Sequence, residues 1–137
     1  GVPWNHADWS LEDELQALAR FDIGLMPLPQ EDWAQGKSGG KARTYMAAGV
    51  VPVCTGIGYN LTLIRQAESG YLCHTEQEWY QALKTLIEDA PLRQRIAVQA
   101  RSEVQNRFSL PRQAIKIRQG FDDVLARAQA ATPHQRN

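Results

Sequence analysis

The 137 residues suffice for one domain with a single core, and 15 Lys+Arg against 15 Asp+Glu leave no net charge. That balance excludes a general nucleic-acid binder, which carries a basic excess, and gives no support for electrostatic attachment to anionic lipid. The longest apolar run, residues 46–54, is far short of the roughly 20 residues of a membrane span. No secretory signal is visible, although the chain opens mid-pattern at Gly1, which leaves room for a leader ahead of it. Cys54 and Cys73 form no Cys-x-x-Cys unit and read as small buried thiols in a reducing cytoplasm, with too few ligands nearby for zinc. His6, His74 and His134 are scattered; His74, behind a predicted strand, is the one placed to face a ligand.

Along the chain, Val2-Pro3-Trp4 reads as the end of a strand. Ser10 caps a helix with Leu11, Leu15 and Leu18 on one face, closed by Phe21. Residues 23–28 are apolar on both faces, as expected of a central parallel strand. A loop of roughly a dozen residues follows, long enough to suggest a ligand role. A helix from Gly40 to Ala48 is stopped by Gly49, and residues 50–54 form the next strand. Asn60 starts a short helix with Leu61, Ile64 and Ala67 inward, and residues 70–73 form a third strand. Thr75-Glu76-Gln77-Glu78 has the form of a capping box, opening a helix that packs Trp79, Leu83, Leu86 and Ile87. Pro91 suits a first helical turn, and Leu92, Ile96, Ala100 and Val104 recur on one face. Ser109 and Pro111 open a last helix carrying Ile115, Phe121, Val124 and Leu125. Residues 1–130 are thus expected to form the domain and residues 131–137 a frayed tail.

Strand–helix alternation predicts an α/β fold with a parallel, Rossmann-like sheet flanked by helices. Only three strands are clear, where a doubly wound domain has about five or six. The sheet therefore reads as cut on its N-terminal side, or as a small domain that completes itself by dimerising. Either way an exposed sheet edge invites self-association.

The stretch Gly36-Lys37-Ser38-Gly39-Gly40-Lys41 is a glycine-rich loop running into a helix between two strands. Free backbone N–H groups and the helix start form a seat for phosphate or diphosphate, and Lys37, Lys41 and Arg43 add charge there. The spacing matches neither Gly-x4-Gly-Lys-Ser/Thr nor Gly-x-Gly-x-x-Gly, and such a stretch also serves as a plain tight connection. Gly39, Gly40 and Lys41 are the best diphosphate candidates by their backbone N–H groups, with Lys37 and Gly36 beside them. Lys41 and Thr44 share one helix face and Ala42, Tyr45 and Met46 a second, apolar one. Glu31 and Asp32 suit a solvated loop better than a glycosidase carboxylate pair. Trp33 either covers a ligand or packs on its own loop.

The run from Phe21-Asp22-Ile23-Gly24-Leu25-Met26-Pro27-Leu28-Pro29, through the glycine loop, to Tyr45-Met46-Ala47-Ala48-Gly49-Val50 resembles the donor-binding half of family 4 glycosyltransferases. The resemblance continues through Pro52-Val53, Gly56-Ile57-Gly58-Tyr59-Asn60, Gly70-Tyr71-Leu72, Glu78-Trp79, Leu83, Asp89, Leu92-Arg93 and Phe108-Ser109. It implies a partial C-terminal donor domain of a glycosyltransferase B fold, incomplete at its N-terminal side. It further implies retaining transfer of a sugar from a nucleoside diphosphate sugar, without cofactor or metal. The acceptor, a sugar or lipid-linked glycan, would meet an N-terminal domain absent here. The full-length protein would be cytoplasmic, with peripheral membrane association open to it, and this segment alone inactive. No catalytic residue can be nominated.

Two departures stand out. Aligned on Gly39 and Ala48-Gly49, the family's Glu-x7-Glu pattern falls on Gly36 and Thr44, neither acidic, so Thr44 replaces a ribose-binding carboxylate with one hydroxyl. Where relatives read Gly-Val-Pro-Val-Val, this chain reads Gly49-Val50-Val51-Pro52-Val53, which relocates a strand hydrogen bond. A degenerate, inactive binding module is the second reading. An unrelated receiver-like domain is the third, disfavoured because no acidic cluster follows a first strand.

Overall fold

A computed structural model describes residues 3, 4, 6 and 8–131 of the chain. It divides into two compact units, Gly1–Glu103 and Val104–Asn137. The first holds α1 (Leu11–Leu18), β1 (Ile23–Met26), α2 (Asp32–Gln35), α3 (Gly40–Ala48), β2 (Val51–Thr55), α4 (Asn60–Leu63), β3 (Tyr71–Cys73), α5 (Glu76–Glu88) and most of α6 (Ala90–Phe108). The last turn of α6 and α7 (Leu110–Ala131) form the second. The fold class is the expected one: three parallel strands in the order β1-β2-β3, with helices in every connection.

The central strand is β2, not the run at 23–28. All five β2 residues are buried, whereas β1 lies at an edge of the described sheet and Leu25 is 45% exposed. Val51 and Val53 turn to one face, where Cys73, Ala82, Leu86 and Ile96 complete the core with Trp79, Leu83 and Leu92 around them. Each fully buried Val, Leu or Ile side chain here contributes about 1.5–3 kcal/mol. On the alternate face, Gly24 and Met26 of β1 pair in register with Pro52 and Cys54. The Tyr45 ring of α3 lies on Gly24, where a Cβ would come within 2.4 Å of it, and the Tyr45 hydroxyl donates to Leu25 O at 3.2 Å.

Pro52 costs the sheet little. Val51 N–H donates to Asp22 O on the β1 side, so alternation turns the Pro52 nitrogen toward β3. Pairing with β3 starts only at Val53, and the proline occupies a position where no ladder donor is required.

Helix boundaries follow the local chemistry. Ser10 Oγ accepts from Asp13 N–H at 3.1 Å, Thr75 Oγ1 from Glu78 N–H at 3.2 Å, and Asp89 Oδ1 from Leu92 N–H at 2.8 Å. Glu78 returns its carboxylate to His74 N–H, one residue earlier than in a standard capping box. At the end of α3, Gly49 adopts φ 76°, with Gly49 N–H on Met46 O and Val50 N–H on Tyr45 O, the double bond of a Schellman turn.

Several inward assignments need correction. In α1 only Leu18 is buried, and Leu11 and Leu15 face solvent. Ile87 is exposed, because the buried stripe of α5 runs through Trp79, Ala82, Leu83 and Leu86. α4 stops at Leu63 with Ile64 extended, so helical spacing does not continue: Leu63 and Ile64 are buried, while Leu61 and Ala67 are not. Pro3 and Trp4 are not in a strand, and Val2 lies outside the described residues, as do residues 132–137 of the expected tail. In the second unit, α7 exposes Ile115, Phe121, Val124 and Leu125.

Cys54 and Cys73 are free and buried, as expected. Burial, then the mutual proximity of the two thiols, pushes Cys54 up to about 12; burial, then Glu78, pushes Cys73 up to about 11. Unfolded thiols ionise near pH 8.5 and folded ones do not, so above about pH 8.5 the unfolded state holds fewer protons and stability falls. Unfolding free energies from urea denaturation between pH 8 and pH 10.5 should decline by up to about 1.4 kcal/mol per pH unit for each thiol. Independently, Ala67 sits at φ 58° with its N–H on Gly70 O at 2.9 Å. Ala67→Gly relieves left-handed strain, partly offset by chain entropy, and should raise stability by about 0.5 kcal/mol in the same assay.

Candidate functional site

In an open parallel sheet, ligands bind beyond the C-terminal strand ends. β1 delivers the segment 27–31 there, β2 delivers residues 56–59, and β3 delivers His74. A cleft of about 320 Å³ opens at this end, lined on one side by Leu25, Met26, Pro27 and Leu28 and on the other by Lys37, Ser38, Gly39, Gly40 and Lys41. Its volume falls within the range of small-molecule sites, and its two walls differ in chemistry, one apolar and one cationic.

The cationic wall follows from backbone geometry. Gly39 caps α3 at φ 66°, a conformation that costs other residues about 1–2 kcal/mol. A Cβ there would meet Leu63, Asn60 Oδ1 and Tyr59 at 3.2–3.3 Å. The first intrahelical bond of α3 runs from Arg43 N–H to Gly39 O, so the N–H groups of Gly40, Lys41 and Ala42 have no partner within the helix. They point out of the helix start, where its dipole is positive.

The structure brings Gly39, Gly40, Lys41 and Lys37 together on one wall. Gly36, at the C-terminal end of α2, and Thr44, a turn into α3, are not among the lining residues. Lys41 and Thr44 are exposed and Ala42 and Met46 fully buried, as the helix faces required. The Thr44 hydroxyl donates to Gly40 O at 3.2 Å. Trp33 packs within its own loop: its Nε1–H donates to the Glu31 carboxylate, and the Lys37 ammonium lies 4.8 Å from its ring centroid. Glu31 is therefore occupied by Trp33, and Glu31 and Asp32 do not form a pair facing one bond. His74 is exposed and its ring covers Gly56, where a Cβ would come within 2.3 Å of it, rather than lining the cleft. No cluster of His, Cys, Asp and Glu suited to a metal occurs among the described residues, and no helix among them is long and apolar enough to cross a membrane.

Sequence reading passed over the residues behind the walls. Thr55, at the C-terminal end of β2, accepts from Leu28 N–H at 2.7 Å and donates to Leu28 O at 3.0 Å through the same hydroxyl. Asn60, 2% exposed, donates to Thr55 O at 3.1 Å. A hydroxyl at a strand end and an asparagine beside a helix start are the only local signals of either.

The fold is that of an α/β, Rossmann-like domain of the kind found as the C-terminal half of glycosyltransferase B folds. The chain is similar to the crystal structure of the C-terminal domain of a glycosyl transferase group 1 family protein, LpcC, from Francisella tularensis. The TM-score is 0.62 at 24% identity, covering 77% of this chain and 53% of that one, so this chain spans about half the length of its structural neighbour. No family model and no curated protein matches the chain.

Gly58, at φ 54°, would place a Cβ 2.4 Å from Gln35 O, a main-chain atom, whereas a Cβ at Gly39 meets side chains. Gly39→Ala should therefore cost about 1–2 kcal/mol, and Gly58→Ala more, in urea denaturation. A reversed order would contradict the backbone approach at Gly58.

Proposed function

We propose that this chain is the donor-nucleotide-binding portion of a glycosyltransferase. The observation that carries the reading is the cleft whose apolar wall, residues 25–28, faces the cationic wall, residues 37–41, at the strand ends of a Rossmann-like sheet. A ligand matching both walls joins a flat, weakly polar group to a compact anion, as a nucleoside diphosphate sugar does.

In this reading the N–H groups of Gly40 and Lys41, with the charges of Lys37 and Lys41, bind the donor diphosphate. Departure of a diphosphate builds negative charge on its oxygens while the sugar carbon becomes electron-poor. Fixed N–H dipoles and ammonium groups stabilise that charge without reorganising. Transfer with retention to an acceptor sugar or lipid-linked glycan, without a metal or cofactor and in the cytoplasm, belongs to the same proposal and to the full-length enzyme.

One observation favours a second reading, an inactive binding module. Gly36 and Thr44 stand where the resemblance places two carboxylates, and the Thr44 hydroxyl already donates to its own helix. Its oxygen retains only accepting capacity, too little for a paired hold on a ribose.

Titration with uridine diphosphate and with guanosine diphosphate, followed by ¹⁵N-resolved NMR beside a phosphate control, tests both. Saturable shifts at Gly39, Gly40 and Lys41 are expected for one nucleotide, with Lys41→Gln weakening it about tenfold. Shifts no larger than those with phosphate would overturn nucleotide recognition. Nucleotide binding with no sugar transfer by the full-length protein would leave the binding module.

A further inference from the structure

The two walls of the cleft come from different stretches of chain, and neither is held by the other. The segment leaving β1 makes no strand pairing at Leu28, beyond the last β1–β2 register pair, Met26 with Cys54. Its backbone there is fixed instead by a side chain. Thr55 is 5% exposed, and its single hydroxyl satisfies both the N–H and the C=O of Leu28, at 2.7 and 3.0 Å, across 27 residues of sequence. Thr55 is itself braced: its carbonyl accepts from Ile57 N–H at 2.9 Å and from Asn60 Nδ2 at 3.1 Å. Asn60 is nearly fully buried, and its Oδ1 lies 3.3 Å from the point where a Cβ on Gly39 would sit. Thr55 thus carries the apolar wall at Leu28 and is itself held by Ile57 and Asn60, with no hydrogen bond running from this set to Gly39, Gly40 or Lys41 among the described residues.

We infer that Thr55 is a positioning residue that sets the apolar wall of the cleft, and so governs recognition of the nucleoside part of a nucleoside diphosphate while leaving the diphosphate seat unaffected. The inference rests on the nucleotide-binding reading above. It separates the two halves of the ligand because Thr55 bonds to Leu28 directly, whereas the N–H groups of Gly40 and Lys41 are set by α3. Removing the hydroxyl frees two backbone groups of Leu28 to seek water, and the wall loses its fixed distance from residues 37–41. Serine retains both bonds; valine retains the shape and neither bond.

The test uses the unsubstituted chain, Thr55→Val and Thr55→Ser, each titrated calorimetrically with uridine diphosphate, guanosine diphosphate and inorganic pyrophosphate. Exchange of the Leu28 amide is followed alongside. Thr55→Val should weaken the better-bound nucleotide by about fivefold or more, leave pyrophosphate within about twofold, and speed Leu28 exchange; Thr55→Ser should stay within about twofold throughout. Should the valine variant not fold, Thr55→Ala goes through the same titrations. Equal weakening of nucleotide and pyrophosphate would overturn the inference, since it marks a general structural role, and so would a valine variant that binds nucleotide normally. Failure of the nucleotide reading looks different: the unsubstituted chain then binds neither nucleotide more tightly than pyrophosphate, and Thr55 has no nucleoside to position.

Discussion

Complete burial of β2 is the constraint on which the first unit depends. A strand with no exposed residue must be covered on both faces and paired along both edges, and this chain supplies each in turn. β1 and β3 pair with it, α5 and α6 cover Val51 and Val53, and Tyr45 of α3 closes the opposite face over Gly24. Burial also explains why proline is tolerated at position 52: the ladder on that side begins one residue later. Because β2 is held so firmly, its last residue, Thr55, is a fixed point from which a side chain can support a loop that no strand pairing reaches.

The cleft uses that rigidity unevenly. Its cationic wall depends on main-chain conformation, a left-handed glycine at a helix start where a Cβ would sit 3.2–3.3 Å from neighbouring side chains. Its apolar wall is the continuation of an edge strand. One wall is therefore specified by backbone conformation and the other by a hydrogen-bonded link, and the two respond to different substitutions.

Elements governed by local chemistry were legible in the sequence. Ser10, Thr75 and Gly49 mark helix ends because each satisfies orphan backbone groups nearby, and the stripe from Leu92 to Val104 is long enough for its period to be unambiguous. The glycine loop announced itself by composition. What escaped depends on tertiary placement. An apolar run at 23–28 looks the same whether central or at an edge, and Leu11, Leu15 and Ile87 fit a helical period while nothing among the described residues of the first unit covers them. Continuing the period of α4 past Leu63 failed because the chain turns extended at Ile64, which no strong breaker residue signals. The bracing roles of Thr55 and Asn60 were invisible for a further reason: Thr55 bonds a residue 27 positions away and Asn60 bonds a main-chain carbonyl, and a single sequence carries no mark of either.

The approach of Gly58 to Gln35 constrains how this region can diverge. The obstruction is a main-chain oxygen, so it persists whatever side chain stands at position 35. Drift is therefore free at 35 and closed at 58. A chain that lost the glycine would have to lengthen or re-route the turn after α2, and would carry the cationic wall with it. Insertions in homologous loops should consequently track the identity of residue 58 and not that of residue 35.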